Sequence, residues 1–78
     1  MTAEQMFNKC GYDKYKRKDG IHYQNSDILE YNIKFLFDYK YVSCWTYDYD
    51  YGTKSAMAID MGELKAIIQQ CCELRWLD

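Results

Sequence analysis

Apolar and polar residues alternate between Leu29 and Phe37. Leu29, Tyr31, Ile33, Phe35 and Phe37 are separated by Glu30, Asn32 and Lys34, and only Leu36 breaks the pattern. A period of two is the mark of a strand with one buried face. A second run, from Tyr41 to Tyr51, is dense in the aromatic and β-branched residues that strands favour. Asp38-Tyr39-Lys40 reads as the turn between them. A three-residue loop places Phe37 opposite Tyr41, Ile33 opposite Trp45 and Tyr31 opposite Tyr47, and opposed residues share a sheet face. The odd-numbered residues then form an aromatic core, while Cys44, Thr46, Asp48 and Asp50 look the other way. A loop one residue shorter reverses that assignment, because a register slip swaps faces.

On either side of this hairpin the period changes. Ala3, Met6, Phe7 and Cys10 fall at helical spacing, Thr2 and Gln5 have the spacing of a capping box, and Gly11 suits the stop. Tyr12 to Lys18 and Ile21 to Gln24 read as a hairpin around Asp19-Gly20, its first strand charged enough to be a sheet edge. Asn25-Ser26-Asp27 is the next turn. Beyond a turn at Gly52-Thr53-Lys54, Ala56 to Ile59 offers a short last strand. Asp60 and Glu63 then cap a helix from Met61 to about Leu74, with Leu64, Ile67, Ile68, Cys71 and Leu74 as its buried stripe. Trp76 and Leu77 are expected to fold back on the core. The order predicts a single α+β domain over 1–78: an antiparallel sheet of four to five strands with N-terminal and C-terminal helices on one face.

Composition supports a folded unit. The 78 residues are 49% hydrophobic and 18% aromatic, with nine tyrosines, two tryptophans and no proline, which is too apolar for a disordered chain. Ten basic and twelve acidic residues leave a net charge of −2, unlike a generally basic nucleic-acid binder. Cys10, Cys44, Cys71 and Cys72 contain no C-x-x-C pair and have only His22 for company, so no zinc site is expected. The opening MTAEQMF lacks the basic start and apolar run of a signal peptide, and no segment approaches the ~20 apolar residues that cross a bilayer. These features lead us to expect a cytoplasmic chain whose thiols are reduced and mostly buried.

Three groups of residues are candidates for a site. Asp48 and Asp50, on one strand face about 7 Å apart, would match the spacing of phosphates along a nucleic-acid strand. With Asp38 they would offer an acidic surface to a basic groove; the plainer alternative is a solvated strand end. Tyr39, Tyr41, Tyr47, Tyr49 and Tyr51 are too many for so small a core, and exposed tyrosines give large contact areas at low entropic cost. That favours protein contact, including a homodimer, over base stacking, since the neighbouring acids repel phosphate. Lys14, Lys16, Arg17 and Lys18, interleaved with Tyr12 and Tyr15, form the basic patch, readable as phosphate contacts or as a charged edge that resists aggregation. His22 stands without a nucleophile or a partner motif and Glu30 is expected to face solvent, so no catalytic residue, metal or cofactor is expected.

The chain's two ends carry a resemblance. T-A-E-x-M-F-x-K-x-G-Y (Thr2, Ala3, Glu4, Met6, Phe7, Lys9, Gly11, Tyr12) opens the chain. A second pattern closes it, on Met61, Glu63, Leu64, Ala66, Ile67, Cys71, Glu73, Leu74 and Trp76. Together these patterns resemble small accessory proteins encoded by phages and mobile elements of Gram-positive bacteria. They span about half the chain, on helices and caps; the tyrosine-aspartate run lies outside them, and Arg75 stands where the pattern has glycine. The resemblance implies a setting in which such proteins inhibit host machinery, CRISPR nucleases and other defence proteins among it, by stoichiometric binding.

The expected function is therefore that of a non-enzymatic module binding a host protein through Asp38, Tyr47, Asp48, Tyr49, Asp50 and Tyr51. The alternative is a small nucleic-acid-binding module using Lys14, Tyr15, Lys16, Arg17 and Lys18.

Overall fold

The structure is a computed structural model and describes residues 1–27 and 29–77. Helix α1 (Ala3–Lys9) is followed by strands β1 (Asp13–Arg17), β2 (Gly20–Ser26), β3 (Glu30–Leu36), β4 (Tyr41–Asp48) and β5 (Thr53–Ala56), then helix α2 (Met61–Glu73). The strands form one antiparallel sheet in the order β1-β2-β3-β4-β5. The expected α+β class and the placement of both helices on one sheet face hold.

The helices start where their caps predict. Thr2 Oγ1 accepts from Gln5 N at 3.2 Å while Gln5 returns a bond to Thr2 N. Asp60 Oδ1 accepts from Glu63 N at 2.7 Å with the reciprocal bond at 3.0 Å. Each box satisfies two N–H groups that a helix start otherwise leaves unpaired. Gly11 ends α1 at φ +92°. The helices run antiparallel, since Ala3 N donates to Glu73 Oε2 at one end and Cys10 Sγ lies beside Gly62 at the other.

The core lies between the helices and the face of the sheet that carries Ile21, Tyr23, Ile33 and Phe35. Phe7 of α1 stacks on Tyr23 at 3.8 Å between centroids and meets Tyr12 and Phe35 edge-on. Such pairs add about 0.5–1.5 kcal/mol to the burial itself. Tyr23 Oη donates to the buried Gln70 Oε1 at 2.5 Å. With Gln70 turned inward to that bond, α2 sits differently from expectation. Ala66, Gln70 and Cys71 are its buried residues, with Glu63, Ile67 and Leu74 half-buried, whereas Leu64 and Ile68, expected inside, are exposed. Trp76 folds back on Phe35 as expected, but Leu77 stays exposed.

Two turns differ from expectation. The first hairpin turns on Lys18-Asp19, with Arg17 opposite Gly20. Gly20 instead serves close approach: a Cβ there would stand 2.0 Å from the Phe35 carbonyl oxygen. The central loop has four residues, Phe37 to Lys40, so Leu36 faces Tyr41, Ile33 faces Cys44 and Tyr31 faces Thr46. Lys40 makes this turn in the left-handed region, at φ 56°. The odd-numbered residues of β3 do face the core. Those of β4 do not: Trp45 and Tyr47 lie on the opposite face, and Val42, Cys44 and Thr46 face the helices. Phe7, Tyr12, Tyr23 and Trp76 already fill the core with rings, which leaves room over β4 only for smaller side chains. The final strand is β5, earlier than the expected Ala56 to Ile59; Met57 and Ile59 pack against the core after it.

Candidate functional site

No helix covers the second sheet face. Across it the cross-strand pairs line up side chains from all five strands. Arg17 lies 5.3 Å over the Tyr15 ring, Tyr15 tilts against His22, His22 stacks on Trp45 at 5.7 Å, and Lys54 sits 4.6 Å over the far side of Trp45. Beneath this row Asn32 is fully buried: its Oδ1 meets His22 Nε2 at 2.8 Å and its Nδ2 donates to Glu30. Asn32 accepts through Oδ1, so His22 carries a proton on Nε2. The rings of this ladder are occupied by one another and by cations, and the uncovered face is finished by its own side chains. His22 is thus held by Asn32, Tyr15 and Trp45. Glu30, expected to point into solvent, is half-buried. Burial works to raise its carboxyl pKa, but bonds from Tyr49, Asn32 and Gln24 hold it below the usual range.

Clusters of exposed charged and aromatic side chains lie at the two ends of the sheet. One end gathers Asp27, Glu30 and the β4–β5 turn. Asp48 closes β4 and its Oδ1 accepts from the N–H groups of Asp50 and Tyr51, which fixes the turn. Tyr47 packs edge-on against Tyr49 at 4.7 Å, and Tyr49 Oη donates to Glu30 Oε2 at 2.5 Å. Tyr51, 82% exposed, projects beyond them. The expected pairing of Asp48 and Asp50 on one strand face is corrected: Asp50 lies in the turn, past the strand end. Glu30 and Asp27, which the sequence left aside, complete the acidic end, and Lys54, opposite Tyr47 in the register, is a cation beside it.

Asp38 does not belong to this group. It sits in the β3–β4 loop at the other end of β4, seven residue steps and about 23 Å away by strand rise. There Phe37 N–H donates to the Asp19 carbonyl at 3.0 Å, which joins that loop to the β1–β2 turn. The basic patch is divided as well. Lys14 and Lys16 lie on the helix side of β1, and Lys14 pairs with Glu4 at 3.6 Å, while Tyr15 and Arg17 lie on the uncovered face. Lys18 is in the turn, next to the loop that holds Lys40. No sequence signal at the level of neighbouring residues would have put Lys18 and Lys40 at one end of the molecule, because the strand pairing places them there.

The described residues enclose no ligand-sized cavity and hold no group of three or more His, Cys, Asp or Glu placed to hold a metal. Burial pushes the thiols of Cys10, Cys44 and Cys71 up, away from the thiolate form a nucleophile needs. Cys72, expected to be mostly buried like the others, is exposed. No described helix is long and apolar enough to cross a membrane. No known protein family, curated protein or solved structure matches the chain.

Proposed function

We propose that this chain is a non-enzymatic protein-binding module whose acidic end docks on a basic surface of a host protein. The observation that carries the reading is the fixed presentation of Tyr47, Tyr49 and Tyr51 with Asp48, Asp50 and Glu30. Side-chain bonds to the turn and to Glu30 hold the projection before any partner arrives, so little ordering entropy is lost on binding. The tyrosines supply contact area and the carboxylates supply steering and register. Binding would be stoichiometric, in keeping with the resemblance of both chain ends to accessory proteins of phages and mobile elements, and the compartment would be the cytoplasm.

Capture from a host lysate treated with nuclease tests it, with the wild-type chain beside the triple variant D48N/D50N/Y51A. Asn at position 48 keeps the acceptor that closes the turn, so the variant changes charge and contact but not the fold. A partner held by the wild-type chain and weakened at least tenfold by the variant is the expected result. A partner held equally by both removes this surface from the reading.

A further inference from the structure

The other end of the sheet carries a second surface, and its chemistry is opposite. The register sets Arg17, Gly20, Leu36 and Tyr41 in one row across the uncovered face, from β1 to β4. Three strand spacings separate the ends of that row, about 14 Å. Between them Gly20 has no side chain and Leu36 makes a low floor. Tyr41 is 60% exposed and stacks at 5.6 Å on Tyr39, which is 74% exposed. Lys18 and Lys40 flank the row from the two turns that the Phe37–Asp19 bond joins. The acids at this end are Asp19 and Asp38. Asp19 is engaged by Lys34 at 3.1 Å; among the described residues the ion pairs are that one and Lys14–Glu4, so Arg17, Lys18 and Lys40 take part in neither.

From this arrangement we infer that the basic end binds single-stranded nucleic acid, with Arg17, Lys18 and Lys40 on phosphates and Tyr39 and Tyr41 against bases. A trough bounded by a cation on one side and exposed rings on the other is how strand-binding surfaces pair backbone and base contacts. The net charge of −2 does not oppose this. The acidic end lies about 23 Å away, nearly three Debye lengths at physiological salt, so its field is screened at the basic end. Base stacking looked unfavourable on the chain because the tyrosines sit near aspartates; the fold moves Tyr39 and Tyr41 away from Asp48 and Asp50. This inference stands independently of the acidic end.

Fluorescence anisotropy with a labelled oligothymidylate tests it, on the full chain. We expect binding whose log–log salt slope is about −2, since three neutralised phosphates contribute about −0.7 each on a single strand. K18E/K40E should weaken it at least tenfold, and Y39A several-fold without a change of slope. D48N/D50N should leave it intact or tighten it slightly. Absence of binding at low salt, or binding indifferent to K18E/K40E, overturns the proposal. Sedimentation at the same salts covers the remaining outcome: salt-sensitive self-association abolished by K18E/K40E, with no DNA bound, would mean that the basic end seats the acidic end of a second copy, and would also overturn it.

Discussion

The β4–β5 turn and the β3–β4 loop are made of nearly the same residues. Each carries tyrosines and aspartate, and each turns through one residue of positive φ, Gly52 at 63° and Lys40 at 56°. Their surroundings make them opposites. The first is flanked by Asp27 and Glu30, and its aromatic cluster is tied down by hydrogen bonds. The second is flanked by Arg17, Lys18 and Lys34 and ends in a bare pair of stacked rings. A chain whose net charge is −2 thus presents an acidic cluster and a basic cluster at opposite ends of β4, about 23 Å apart by strand rise. Screening at physiological salt confines each field largely to its own end.

The two ends should also respond differently to the smallest insertion, a methyl group. Gly20→Ala drives a Cβ into the Phe35 carbonyl, 2.0 Å away, at the base of the basic end. Backbone must shift, and we expect a loss of about 3 kcal/mol, read by urea unfolding. Gly52→Ala at the acidic end meets open space, with Tyr47 Oη no nearer than 4.0 Å. Only the left-handed φ resists it, so about 1 kcal/mol should be lost. Equal losses would mean that the sheet does not hold the two ends as differently as its geometry indicates.

High pH gives a smaller effect. Burial, then the Glu63 carboxylate that accepts its hydroxyl, raises the Tyr12 pKa; burial, then the charges of Glu4 and Glu73, raises that of Tyr23. In the unfolded chain both phenols ionise near pH 10, while in the folded chain they keep their protons. The stabilisation is fully present below pH ~10 and is lost as pH rises toward the folded values. Tyr12→Phe should lessen the fall of urea midpoint between neutral and alkaline solution, and Tyr51→Phe, at the exposed tip, should not. The smallest effect belongs to Tyr49→Phe. Removing its hydroxyl takes away a bond that lowers the Glu30 pKa, so carbon-detected NMR should show the Glu30 carboxyl titrating at higher pH, with the basic end's resonances unmoved.

Local chemistry determined a good deal of this protein from the sequence alone. The two capping boxes, the stop at Gly11, the alternation of Tyr31, Ile33 and Phe35 and the helix–sheet–helix order all depend on residues a few positions apart, and their stereochemistry is the same in any context. The tyrosine-aspartate run was legible as a candidate site for the same reason. What only the tertiary structure decided involves residues far apart in the chain. A fourth loop residue turned β4 over and sent Trp45 and Tyr47 to the uncovered face, since a strand's faces alternate and one step exchanges them. Helix α2 faces the sheet with Ala66, Gln70 and Cys71, Gln70 bonded to Tyr23, and leaves Leu64 and Ile68 exposed. The length of β4 carried Asp38 away from Asp48, and the bond between Phe37 and Asp19 joined the turn that holds Lys18 to the loop that holds Lys40. Proximity across a sheet is set by pairing and strand length, quantities that no window of neighbouring residues contains.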